Sequence, residues 1–331
     1  MSQETPRSDP VAGKTITIQE LLDAKRETLK LELLTPQIPL DRRVADPDVS
    51  APGLALAGYT ARVPEGRMWV FGETEMTYLA TLPVEQGQAQ LEKLLAFKCP
   101  ALFVSKGQVV PDFFLSVAQR HGVPVVLSHI TTKDLYQRIK PYLEEVLAPS
   151  AALHGSLADV YGVGLLFVGE SGVGKSECVL DLVERGHRLV ADDLVLVTRR
   201  GNDVLIGRGH ELQRHHMEIR GVGIIDISAL FGVRATRQQK RIEVVVQLEI
   251  WNQDRSYSRT GLDADEVSIL GVSIPRVTVP LNPGKNITVI SEVVAMNHLL
   301  KYSGINSAEA FHQRLLEQMK PIREYLEQDY E

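Results

Sequence analysis

The run Gly169-Glu170-Ser171-Gly172-Val173-Gly174-Lys175-Ser176 constrains this chain more than any other feature of its sequence. It follows an apolar stretch, Leu165-Leu166-Phe167-Val168, and precedes a helix-like segment, which is the strand-to-helix setting in which a phosphate-binding loop (P-loop) works. Its glycines let successive backbone N–H groups converge on phosphate oxygens, Lys175 can reach the β- and γ-phosphates, and the Ser176 hydroxyl can sit on Mg²⁺. Gly169 through Ser176 are therefore the expected nucleotide-binding residues, with ATP or GTP chemistry to follow. The competing reading is a glycine-rich turn of an unrelated α/β protein, and the flanking strand and helix patterns weigh against it.

With 331 residues the chain is long enough for two domains, and its 44% apolar and 24% charged composition is that of a globular protein. No stretch approaches the roughly 18 apolar residues of a membrane span. Residues 1–10 are polar with mixed charges, unlike a secretion signal, so a cytoplasmic protein without membrane partners is expected. The two cysteines, Cys99 and Cys178, have no metal-like spacing, which argues against disulfide scaffolding and zinc. A net charge of −6 argues against a nucleic-acid surface.

The pattern predicts an α/β protein of two domains: a small N-terminal α/β domain over residues 1–132, and a C-terminal P-loop domain over 133–331 with a compact nucleotide-binding core. In the first, Thr17 and Glu20 form a capping box for a helix expected over Thr17–Leu31, Val84–Phe97 reads as helical, and Ala101–Val104 reads as a strand before a turn at Lys106-Gly107. Thr132 is expected to cap a helix bearing Leu135, Ile139, Leu143 and Leu147, bridging to the second domain. In the second, a helix is expected from about Lys175 to Glu184, closed by Arg185-Gly186. Strands are expected at Arg188–Ala191, Leu194–Thr198, Val204–Ile206, Ile242–Glu249 and Val277–Val279. A last helix over about Ser307–Tyr325 carries Phe311, Leu315, Met319 and Ile322 as a stripe that suits packing within the chain or an oligomer interface.

An acidic residue at a strand end after a phosphate loop can hold the Mg²⁺ shell or position a nucleophile, and here Asp192 and Asp193 stand in succession. Extended backbone points neighbours opposite ways, so the two do the same job only if the strand ends between them. A solvated Asp-Asp turn is the plain alternative. Glu218, beside Gly221 and Gly223, Arg259 before Gly261, and Lys285 in the loop Pro280–Asn286 are further candidates that ordinary surface explains about as well. His154 precedes a glycine just upstream of the loop strand, and alone it reads as a structural or surface histidine.

Together these residues resemble the bacterial HPr kinase/phosphorylase family along essentially the whole chain. The match is carried by Leu153-His154-Gly155, Gly169 to Ser176, Arg185 to Asp193, the run Glu218-Ile219-Arg220-Gly221-Val222-Gly223-Ile224-Ile225-Asp226, and Ile274 to Asn286. The resemblance implies ATP- and Mg²⁺-dependent phosphorylation of a serine of the phosphocarrier protein HPr. It also implies phosphorolysis of phosphoserine-HPr by inorganic phosphate, giving pyrophosphate, in the regulation of carbon metabolism. It implies Lys175 on the β/γ-phosphates, Ser176 and Glu218 as Mg²⁺ ligands, and Asp193 as general base and, in reverse, general acid with Asp192 as its partner. His154 and Arg259 match further catalytic residues, and Pro280–Asn286 matches a loop implicated in dephosphorylation. The resemblance further implies a kinase core unlike the serine/threonine protein kinases and a homohexamer. A small-molecule kinase and a non-enzymatic nucleotide-binding regulatory module remain the alternatives.

Overall fold

The computed structural model describes residues 14–253, 265–282 and 284–328, with side chains to residue 318. The chain divides into two compact units at Pro149/Ser150.

In the first unit a five-stranded sheet has the order Leu31–Leu33, Val125–Ser128, Leu102–Val104, Met68–Phe71, Val49–Ser50, with the last four strands parallel and the first antiparallel. Its three central strands are buried along their whole length, as parallel strands covered on both faces must be. One face packs on the helices Glu73–Thr81, Val84–Leu95 and Asp112–Arg120 around Phe71, Leu91 and Phe114. The other packs on the helices Ile18–Lys25 and Thr132–Val146.

The capping box at Thr17 and Glu20 forms, but its helix ends at Lys25 rather than Leu31, because Leu31 is taken into the sheet opposite Ser128. The helix cap expected at Thr132 is made by Thr131, whose hydroxyl accepts the Asp134 N–H at 3.1 Å. The helix it opens belongs to the first unit. Leu135, Ile139 and Leu143 pack with Ile18, Val70 and Phe103, so the boundary expected at 132 moves to 149/150.

The second unit contains a six-stranded sheet of order Arg188–Ala191, Ser156–Val160, Val163–Val168, Val244–Ile250, Val272–Leu281, Asp265–Ile269. Strand Val163–Val168 runs parallel to Val244–Ile250 and antiparallel to Ser156–Val160. A four-stranded sheet runs Gln239–Arg241, Val204–Gly209, Leu194–Arg200, Ser150–His154. A two-stranded ribbon joins His216–Ile219 to Gly223–Asp226.

The helix Lys175–Glu184 has the expected ends, and its Cys178, Val179, Leu182 and Val183 face the core. The C-terminal helix spans Ser307–Gln328, and Phe311 and Leu315 are exposed on it, so this part of its stripe is not packed within the described chain. Met319 and Ile322 lie beyond the described side chains.

The preceding helix, Ile287–Tyr302, escaped the sequence reading because its pattern is inverted. Thr288, Ser291, Glu292 and Ala295 are buried, while Val289, Val293, Met296 and Leu300 are exposed. Its polar inner face is satisfied by the glycine-loop helix: Thr288 Oγ1 donates to Asp181 at 3.3 Å, and Arg185 donates to Glu292 through Nε and Nη2 at 2.9 and 2.7 Å.

Candidate active site

The loop Gly169–Gly174 joins the central strand Val163–Val168 to the helix Lys175–Glu184. Gly174, the residue before the helix, has φ +98, a left-handed conformation that costs a residue with a Cβ but not glycine. Gly169 lies so near the strand Val244–Ile250 that a Cβ would come within 2.5 Å of the Leu248 carbonyl oxygen. Gly172 has φ +78, so glycines occupy all three places in the loop where a side chain would strain or clash. Lys175, half-buried, donates from Nζ to the carbonyls of Gly169 and Glu170 at 3.0 and 2.9 Å, which holds its ammonium group over the loop. Glu170 and Ser171 are exposed, and Val173 packs partly against the core.

The strand Arg188–Ala191 ends before the acidic pair, and this decides how the two carboxylates differ. Asp192 is 6% exposed, whereas Asp193 lies in solvent. Asp193 has φ +64, and the Leu194 N–H reaches back to the Asp192 carbonyl at 2.8 Å, closing a tight turn around it. A non-glycine residue in this conformation carries local strain of order 1–3 kcal/mol, a kind found at sites where function holds a backbone in place.

One oxygen of Asp192, Oδ1, accepts two hydroxyl protons, from Ser156 at 2.5 Å and from Ser176 at 3.0 Å. The other, Oδ2, is buried with no hydrogen-bond partner among the described residues. Burial pushes the Asp192 carboxyl above the usual carboxylate range, and the Ser156 and Ser176 hydroxyls, with the Asp193 and Glu218 backbone N–H groups, pull it only partly back.

Among the candidates, Ser176, Asp192, Asp193 and the Glu218 backbone are thus brought together. The Glu218 side chain is exposed on the ribbon His216–Ile219. His154, also exposed, ends the strand Ser150–His154 opposite Leu194, and the adjacent Gly155 N–H donates to the Asp193 carbonyl at 3.0 Å. In the loop from Pro280, Lys285 Nζ donates to the Pro280 carbonyl at 2.9 Å and Asn286 caps the next helix, so both polar groups are engaged locally. Arg259 and Pro283 lie outside the described residues.

Two residues were missed by sequence reasoning. Arg220, at the ribbon turn, lies over the glycine loop: a Cβ on Gly172 would come within 3.0 Å of its Nη2. Ser156 gave one faint signal, a hydroxyl opening a strand whose other residues are mostly apolar.

The residues present fit a Mg²⁺-nucleotide site. The Ser176 proton is directed to Asp192, which leaves the hydroxyl's lone pairs open, and Asp192 Oδ2 is a buried acceptor with no hydrogen-bond partner among the described residues. No cluster of three His, Cys, Asp or Glu side chains able to hold a metal occurs among the described residues. Mg²⁺ at nucleotide sites commonly relies on one or two carboxylates together with phosphates and water.

Residues 16–143 match the model described as HPr Serine kinase N terminus, and residues 145–315 match the HPr Serine kinase C-terminal domain. The chain belongs to the HPr kinase/phosphorylase family. Within that family it is 43% identical to the HPr kinase/phosphorylase of Chloroherpeton thalassium over 98% of this chain and 99% of the relative. It is 45% identical to that of Prosthecochloris aestuarii over 93% of each chain. The solved structure of the Hpr(Ser) kinase/phosphatase from Coxiella burnetii is 32% identical and covers 49% of this chain and 98% of its own, with a TM-score of 0.43. The two matched segments meet at residues 143–145, close to the division between the chain's two compact α/β units. Among the described residues no helix is long and apolar enough to cross a membrane.

Proposed function

We propose that this chain transfers the γ-phosphoryl group of ATP to a serine of HPr, and that with inorganic phosphate it converts phosphoserine-HPr back to HPr and pyrophosphate, regulating carbon metabolism. The observation that carries this reading is the near full-length likeness to HPr kinase/phosphorylases, combined with a glycine loop whose serine is bonded to the first of two adjacent aspartates.

In the forward direction the loop N–H groups and Lys175 bind and orient the ATP phosphates, and Ser176, Asp192 and Glu218 would hold Mg²⁺. The metal, when bound, neutralises charge developing on the phosphate oxygens. Asp193, exposed at the turn, accepts the proton of the attacking serine as the new O–P bond forms and the bond to ADP breaks. In reverse, a phosphate oxygen attacks the phosphoserine phosphorus, the serine O–P bond breaks, and protonated Asp193 returns its proton to the serine oxygen as pyrophosphate forms. The separation of burial supports this division: the inward Asp192 faces the serine of the loop, and the outward Asp193 is reachable by a protein substrate. His154, beside the Asp193 turn, and Arg259 are assigned supporting catalytic roles.

A homohexamer in the cytoplasm belongs to the same reading. The exposed apolar residues Val293, Met296, Leu300 and Phe311 support self-association, which light scattering tests directly.

Incubation with labelled ATP, Mg²⁺ and purified HPr should label a serine of HPr, and added phosphate should remove the label as pyrophosphate. Labelling of a small metabolite instead would favour a small-molecule kinase. Nucleotide binding without any transfer would favour a regulatory module. Release of free phosphate in place of pyrophosphate would make the reverse activity a simple hydrolysis.

A further inference from the structure

Ser156 stands outside the glycine loop and outside the acidic pair, yet its hydroxyl makes the shortest contact either carboxylate receives, 2.5 Å to Asp192 Oδ1. It opens the strand Ser156–Val160, every residue of which is buried, and is itself 1% exposed. The strand is held on both sides: Ser156 pairs with Phe167 at the end of the glycine-loop strand, and Leu157 with Ala191, which immediately precedes Asp192. The backbone that carries Ser156 is thus held by sheet pairing on both sides, whereas Ser176 sits in the first turn of the helix that follows the glycine loop.

A carboxylate attached to one hydroxyl can still swing through a broad range about its terminal bond. Two hydroxyls converging on the same oxygen from different elements select one rotation. The selected orientation leaves Oδ2 buried and without a hydrogen-bond partner among the described residues.

On the Mg²⁺-nucleotide reading of this site, we propose that Ser156 is a positioning residue for the metal. By donating to Asp192 Oδ1 it locks the carboxylate so that Ser176 gives its proton to the same oxygen and keeps its lone pairs free, while Oδ2 stays available to the cation or a water on it. Outer partners that orient a metal-binding carboxylate commonly affect metal affinity by 10- to 100-fold when removed, so their loss is measurable without following turnover.

The test compares Ser156→Thr with Ser156→Val. The two side chains have nearly the same shape, so any strain from the added methyl groups is common to both and the difference reads the hydroxyl. Ser156→Ala adds a variant with no extra bulk. The readouts are the Mn²⁺ affinity of the protein–ADP complex, by electron paramagnetic resonance, ADP affinity in EDTA by calorimetry, and the thermal midpoint. The expected result is Mn²⁺ binding on the order of tenfold weaker in the Val and Ala variants than in Thr and the parent, with metal-free ADP affinity unchanged within about twofold. Equal Mn²⁺ affinity in the Thr and Val variants, or an equal loss of ADP affinity with and without metal, would overturn the positioning role. A parent protein that binds ADP with no dependence on a divalent ion would overturn the Mg²⁺-nucleotide reading itself, and is recognised before any variant is compared.

Discussion

Ser176 Oγ lies 3.0 Å from Asp192 Oδ1, joining the first turn of the glycine-loop helix to a carboxylate sixteen residues further along the chain. Because a hydroxyl has one proton and two lone pairs, this bond leaves Ser176 able to bind a cation without giving up its partner. On the proposed reading, Asp192 is the acid that would face the metal and Asp193 is left for the proton. Asp193→Asn is expected to lower transfer in both directions by about 10²- to 10⁴-fold while ADP affinity stays unchanged. Rate measurements in each direction with calorimetry of the same protein check this. Full transfer in Asp193→Asn together with loss in Asp192→Asn would exchange the two roles.

Asp192 itself is a buried carboxylate whose Oδ2 has no hydrogen-bond partner among the described residues. Burial raises its folded pKa above the unfolded value of 3.8, so its ionisation works against the folded state as pH rises through that range and the penalty is complete above the folded pKa. Asp192→Asn should therefore unfold at pH 7 no earlier than the parent while its metal-dependent nucleotide binding falls. A thermal melt in the absence of nucleotide gives the answer, and a clear drop in midpoint would contradict it.

Lys175 holds its ammonium group against the Gly169 and Glu170 carbonyls, where a phosphate would meet it. Lys175→Ala should cost about 10²- to 10³-fold in transfer, the scale of removing one donor aimed at developing charge. A rate within about twofold of the parent would remove the loop from the chemistry.

Glu292 is buried on the helix Ile287–Tyr302 and receives Arg185, through two bonds, and His187 Nε2 at 3.1 Å. The Arg185 bond, with smaller help from His187, holds its carboxyl down at about 2. A depressed carboxylate stabilises the folded state fully above the unfolded value of 4.5 and loses that contribution as pH falls from there through about 2. Glu292→Gln is expected to lower stability at pH 7 by about 1.5–3 kcal/mol, the scale of hydrogen bonds to charged groups, and by less at pH 3. Urea unfolding at both pH values measures the difference, and an equal loss at each would rule out the ion pair as its source.

Both cysteines are buried, which pushes the Cys99 thiol up to about 12 and the Cys178 thiol to about 11. Thiolates are the reactive form, so neither should react with a thiol reagent at pH 8 in the native protein, while both react after denaturation. Prompt labelling of either in the folded chain would contradict its burial.

What could be read directly from the sequence was local. The glycine loop with its helix from Lys175 to Glu184, the capping box at Thr17 and Glu20, and the strand stopping before Asp192 each follow from residues a few positions apart, whose backbone preferences need no distant partner. The helix Ile287–Tyr302 was illegible for a physical reason: its buried face is polar, and only the opposing Asp181, Arg185 and His187 make that face a stable one. Likewise the pattern of Leu135, Ile139 and Leu143 announces a helix but not its neighbours, and packing against Ile18, Val70 and Phe103 placed it in the first unit. Asp192 and Asp193 are chemically identical in sequence. Only the tertiary structure separates them, by burying one against hydroxyls that arrive from positions 156 and 176 and turning the other, through a left-handed backbone, out into water.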